Sequence, residues 1–130
     1  MRAVDRLAIA SYPEECCGVL LGRMAAVEAI WPTANAHPGP RSKRYEIDVR
    51  ELYEVHRAAR EKGLEVVGYY HSHPDAPARP SARDRETALP GVSYLILAVT
   101  AGRIVDRRAW RFLGEDSPFG EEVPPVRCQR

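Results

Sequence analysis

No apolar run in this 130-residue chain approaches the roughly 20 residues that a membrane-spanning helix needs. The opening residues, Met1-Arg2-Ala3-Val4-Asp5-Arg6, lack the apolar core of a secretory signal. Net charge is also nearly missing. Lys+Arg 19 against Asp+Glu 18 leaves +1, which gives no basis for nucleic acid or a charged membrane surface as a partner. Cysteine is scarce: Cys16, Cys17 and Cys128 are an odd set with two adjacent, which is no disulfide framework. Nor do they have the paired spacing of a thiolate zinc site. On a strand Cys16 and Cys17 would point to opposite faces, one of them into a core. There is no internal repeat and no linker. The expectation is one domain over residues 1–130, in the cytoplasm, with self-association left open.

The rest of the chain alternates helical and strand patterns. Val4, Leu7, Ala8 and Ser11 fall at helical spacing, and Pro13 ends that segment. Residues 16–22 are a short apolar run between breakers, a buried strand, with residues 26–31 returning as its hairpin partner. Residues 32–43 are rich in proline and polar groups and read as a loop. Arg44–Ile47 suits a short strand. Asp48 then resembles a helix N-cap, with Glu51 completing a capping box, a stripe of Leu52, Val55, His56 and Ala59, and Gly63 as the stop. Leu64–His73 is apolar on both alternating faces, so it belongs in the middle of a sheet. A proline-rich loop over 74–80, a short helix over 82–89 and a hairpin of 93–99 with 104–113 follow. The tail from Gly114 is either an edge strand or loose.

The chemistry concentrates in His71-Ser72-His73-Pro74, followed by Ser81 and Asp84. On a strand His71 and His73 point to one face, at the C-terminal end where open α/β sheets place their sites. Two histidines and one carboxylate, with a fourth position left open, are the ligand set of a catalytic zinc ion. Such an ion lowers the pKa of bound water and polarises a carbonyl. Ser81 and Asp84 share one face at the entry of a helix. Ser81 can therefore donate to an oxyanion or serve as an ordinary N-cap, two roles that compete for one hydroxyl. A general base is also required, and a glutamate in an apolar setting has the raised pKa for it. Glu14 and Glu15, just before the buried strand, are both placed for that role, and spacing does not choose between them. His37 and His56 fall outside this constellation.

Pro13-Glu14-Glu15-Cys16-Cys17-Gly18-Val19-Leu20-Leu21-Gly22, then His71-Ser72-His73-Pro74, then Ser81-Ala82-Arg83-Asp84, resembles the JAMM (MPN-plus) metalloprotease family over nearly the whole chain. Asn35, Arg44–Asp48 and Gly68-Tyr69-Tyr70 resemble its compact bacterial branch. The resemblance implies an α/β (α+β) fold, a curved mixed β-sheet flanked by helices, in the layered manner of cytidine deaminases. It implies Glu15 as general base, Ser81 as oxyanion donor, and His71, His73 and Asp84 as ligands of one Zn2+ per chain. It also implies hydrolysis of a peptide or isopeptide bond after the C-terminal Gly-Gly of a ubiquitin-like protein. For the compact branch this partner is a small sulfur carrier. The chain lacks the long insertions of eukaryotic deubiquitinases, which favours the small carrier. Family members usually start with a strand before the first helix, so an edge strand or an upstream start is expected to be missing here.

Three further readings bear on the site. An extended Gly-Gly tail would add to a sheet edge, with loops 32–43 (through Asn35) and 74–80 lining its groove. His-x-His-x-Asp echoes metallo-β-lactamase-type hydrolases, but Ala76 stands where that signature needs His; Asp75 then becomes a loop residue that could support a histidine ring. The alternative from a different class is a non-catalytic MPN-type scaffold that binds a ubiquitin-like partner. Such scaffolds usually lose a site residue, and this chain keeps all five.

Overall fold

A computed structural model describes residues 2–24, 26–114, 120–122 and 127–128. In chain order the elements are α1 (Arg2–Ser11), β1 (Cys17–Arg23), β2 (Ala26–Thr33), α2 (Val49–Glu61), β3 (Glu65–Pro74), α3 (Ala82–Thr87), β4 (Ser93–Thr100), β5 (Arg103–Arg111), β6 (Gly120–Glu122) and β7 (Arg127–Cys128). The strands form one mixed sheet in the order β6-β5-β4-β3-β1-β2-β7. β3 runs antiparallel to β1 and parallel to β4, so it is central, as its two apolar faces require. The expected α+β architecture of a mixed sheet with helices is the one observed.

Period-2 alternation sorts the core into two layers. Cys16 and Leu20 of the β1 segment, Tyr70 of β3 and Leu95, Leu97 and Val99 of β4 pack under Val4 and Ala8 of α1. Val19 and Leu21 face the other way, onto Val55 and Ala59 of α2. Both Cys16 and Cys17 are buried and free, and burial pushes their thiols up, Cys17 to about 11. They are packing residues, not reactive ones.

Two local expectations are corrected. Arg44–Ile47 forms no strand, because its backbone bonds to a side chain rather than to a neighbouring strand: Asn35 accepts from Glu46 N and donates to Arg44 O. Asp48 does cap α2, but through Arg50 N, without the capping box expected from Glu51. A capping box is present instead at Ser81 and Asp84. Of the tail, Gly120–Glu122 is an edge strand on β5, and residues 115–119 and 123–126 lie outside the described residues.

Gly18 and Tyr70 lock the two strands that carry the site. They are register partners, and a Cβ on Gly18 would lie 2.3 Å from the Tyr70 ring, which is fully buried. Gly18→Ala is therefore expected to destabilise the protein by about 1–3 kcal/mol through overpacking. A thermal melt checks it, and an unchanged midpoint would contradict the contact.

Candidate metal centre

β3 delivers His71 and His73 to one face at its C-terminal end, both almost fully buried. The α3 capping box delivers Asp84. Ser81 Oγ accepts from Asp84 N at 3.1 Å, and Asp84 Oδ2 accepts from Ser81 N at 2.9 Å, which fixes the carboxylate. That same Oδ2 lies 3.2 Å from His71 Nε2 and 3.1 Å from His73 Nε2, and the two Nε2 atoms are 3.1 Å apart. Three donors at such separations trace one face of a small tetrahedron. Zinc bound at its usual N/O distances would set those edges at about 3.3 Å.

The donor set requires positive charge at its centre. His73 Nδ1 lies 2.7 Å from the carbonyl oxygen of Pro77, which can only accept, so the ring's N–H is on Nδ1. A neutral His73 then presents a bare Nε2 to the Asp84 carboxylate at 3.1 Å. Two acceptors at that distance repel unless a proton or a metal ion lies between them. Burial lowers the pKa of His71. Burial would also lower His73, but the Asp84 carboxylate and the Pro77 carbonyl outweigh it and hold that ring above the usual value. Asp84 is half-buried, which would raise it, yet the imidazoles beside it and the Ser81 N–H hold it far below the ordinary carboxylate range. Among the described residues His71, His73 and Asp84 are the group able to hold a metal ion.

Glu15 is buried, 6% exposed, whereas its neighbour Glu14 is exposed. Burial pushes the Glu15 carboxyl up to about 8. It lines a cavity of about 730 Å3 together with His73 and Ser81. Its backbone is pinned from three sides. Glu15 N donates to Arg41 O at 2.7 Å, Glu15 O accepts from Asn35 Nδ2 at 3.1 Å, and the next amide, Cys16 N, donates to the buried Ser72 Oγ at 2.8 Å. Ser81 does not face the competition expected of it. The cap uses a lone pair on Oγ, and the hydroxyl proton remains available to donate.

The cavity is walled by Ser42 and Lys43 on one side and the 74–81 loop on the other. It opens at the end of the central strand β3, between residues of the two loops expected to line a groove. Loop 74–80 is anchored beneath by the buried Ala78, whose carbonyl accepts from Trp110 Nε1 at 2.9 Å. Asp75 does not support a histidine ring. It accepts from the Tyr12 hydroxyl, and the Pro77 carbonyl takes the ring-supporting place. His37 is buried beside Glu46, and His56 is exposed on α2.

Asn35 lies outside the cavity wall. Its amide makes four bonds, from Nδ2 to Glu15 O and Arg44 O and into Oδ1 from His37 N and Glu46 N. It ties the 37–46 loop to the backbone of Glu15. Asn35→Ala leaves these groups unpaired and is expected to cost about 2–4 kcal/mol. A thermal melt checks it, and full stability would contradict this role.

The family of prokaryotic homologs of the JAB domain, Prok-JAB, matches residues 1–113. The chain belongs to this family. Within it, a desampylase of Haloferax volcanii is 45% identical over 87 residues, 65% of this chain and 62% of that protein. A probable TtuB-protein conjugate cleaving protease of Thermus thermophilus is 37% identical over 91 residues, 70% of this chain and 60% of that protein. The chain thus spans about 60% of the length of the curated relatives it matches. The solution structure of the protein DSY2949 from Desulfitobacterium hafniense superposes with a TM-score of 0.81 at 29% identity, covering 100% of this chain and 88% of that one. In this Prok-JAB domain Glu15, His73 and Ser81 line one cleft, and His71 and Asp84 meet His73 beside it. Sequence reasoning missed Ser72 and Tyr45. The first is hidden as the middle residue of His-Ser-His. The second lies in a stretch read as a strand, yet its ring stacks on His71.

Proposed function

We propose that this Prok-JAB chain is a zinc-dependent peptidase or isopeptidase that cleaves after the C-terminal Gly-Gly of a ubiquitin-like sulfur-carrier protein. The observation that carries the reading is the triangle of His71 Nε2, His73 Nε2 and Asp84 Oδ2, with edges of 3.1–3.2 Å, opening on the cleft that Glu15 and Ser81 line. The family relationship supports the substrate class, because two relatives are named for removing or cleaving protein conjugates.

One Zn2+ held by His71, His73 and Asp84 would supply an acidified water and a polarised scissile carbonyl. Glu15 takes the proton of the attacking water on its carboxylate and passes it to the leaving amine. Burial raises the proton affinity of that carboxyl in the metal-free protein, and the charge of a bound Zn2+ would lower it again, leaving a carboxylate able to accept and return a proton. Ser81 donates a hydrogen bond from its hydroxyl to the oxygen that gains charge. The Pro77 carbonyl keeps His73 in the tautomer whose Nε2 faces the centre. Glycines, which carry no side chain, would let the tail's backbone approach the centre closely.

The test is the intact mass of a sulfur-carrier protein extended past its Gly-Gly, incubated with the zinc-loaded protein with and without chelator. Chelator-sensitive trimming to Gly-Gly is expected. No trimming, with one zinc bound per chain, would move the substrate elsewhere. No trimming and no zinc would favour the scaffold.

A further inference from the structure

The two histidines of the centre are held in different ways. His73 has its outer nitrogen bonded to the Pro77 carbonyl at 2.7 Å. The outer nitrogen of His71, Nδ1, is buried and has no hydrogen-bond partner among the described residues. Metal-binding histidines ordinarily depend on such a bond to fix the ring about its Cβ–Cγ axis. Strand pairing cannot replace it. The register Cys17↔His71↔Ile96 fixes the backbone, not the torsion of the ring, which meets the edge of the His73 ring on one side, at 4.9 Å between centroids. What touches the ring face is Tyr45, stacked at 4.5 Å between centroids and 25° between planes.

We propose that Tyr45 is a positioning residue for the metal centre, whose ring orients the His71 imidazole in place of the missing hydrogen bond. A plate against one face blocks rotation of His71, because turning the imidazole would drive its edge into the phenol ring. The plate is itself rigidly mounted. Its neighbours Arg44 and Glu46 are both bonded to the Asn35 side chain, and Ala36 N donates to Glu46 O at 2.8 Å. Asn35 also bonds the Glu15 carbonyl. One amide therefore sets the position of the acid–base residue and, through Tyr45, of one metal ligand.

This inference rests on the metal reading of the site, and the experiment separates the two. Zinc affinity is measured by chelator competition for the wild type, Tyr45→Phe and Tyr45→Leu, with a thermal melt of each metal-free protein. Tyr45→Phe keeps the plate and is expected to bind zinc within about two-fold of wild type. Tyr45→Leu fills similar space without a flat face and is expected to weaken zinc roughly 10–100-fold, the usual effect of losing a ligand's support. Leu binding as tightly as wild type would overturn the proposal, as would a Phe variant as weak as Leu. Should the Leu variant not fold, the metal-free wild type decides by NMR. A ring stacked on His71 shifts the imidazole proton resonances upfield, and their appearance at unshifted positions would overturn the proposal. A wild type that binds no zinc would instead refute the metal reading, while the resonance shift would still report on the stacking.

Discussion

Glu15→Gln is expected to abolish turnover and, at the same time, to stabilise the metal-free protein. The first effect follows from chemistry. An amide cannot accept the proton of the attacking water, and loss of a general acid–base group typically costs about 10²–10⁴-fold in rate. The three side chains of the metal triangle are untouched, so zinc binding should persist. The second effect follows from burial. The Glu15 carboxyl is pushed from the ordinary 4.5 to about 8 by removal from water, so the folded chain holds a proton that the unfolded chain releases. With a folded pKa above the unfolded one, stability is fully present below about pH 4.5 and is lost as pH rises towards 8. At pH 7 this loss amounts to about 3 kcal/mol. Glutamine does not titrate, so the difference in melting temperature between variant and wild type should be small at pH 4.5 and grow towards pH 8. Melts of the metal-free proteins across that range check this. A difference independent of pH would place Glu15 in water rather than in the cleft wall, and normal turnover in the variant would remove it from the mechanism.

His73→Ala should reduce bound zinc from one per chain to a trace and take activity with it. Only two protein donors would remain, and the Pro77 carbonyl would lose the ring it orients. The wild type should be stabilised on adding zinc, by about 2.7 kcal/mol when the free ion is a hundred-fold above its dissociation constant. The variant should show no such shift. Metal analysis after gel filtration and a melt with and without zinc read this out together. Stoichiometric zinc in His73→Ala would mean that the ion sits elsewhere, and the triangle of nitrogen and oxygen atoms would need another explanation.

Much of this architecture is legible in the amino-acid order because burial leaves a periodic trace. The two apolar faces of Glu65–Pro74 place it inside the sheet, and the His-x-His spacing puts both imidazoles on one side of it. What the pattern hides is hydrogen bonding by single side chains across the fold. Arg44–Ile47 carries the alternation of a strand, but Asn35, nine residues upstream of Arg44, captures its backbone groups. Asp75 follows the His-x-His-Pro run and looks placed to support a ring, yet the loop turns there with a φ of 56° and its carboxylate meets Tyr12. Pro77, which has no polar side chain, supplies the carbonyl instead. Spacing also left Glu14 and Glu15 equal. The family resemblance points to Glu15, and the three-dimensional placement supplies the physical reason, Glu14 being exposed and Glu15 set in the cleft wall.

The pairing of Cys17 with His71 makes the ladder between β1 and β3 a ruler for the active centre. Glu15 stands two residues before one rung and His73 two residues past it, so backbone geometry sets their spacing. The two loops that wall the cleft lie off this ruler. Exchanging residues 74–80, or those of 37–43 other than Arg41, would alter what the cleft admits while the distance between proton carrier and ligands stays fixed, provided Arg41 keeps its carbonyl on Glu15 N and Pro77 its carbonyl on His73. A single-residue insertion within either strand would instead turn the reactive side chains to the opposite face. On the proposed function, selectivity and chemistry would therefore vary independently in this fold, and libraries aimed at new substrates belong in the loops.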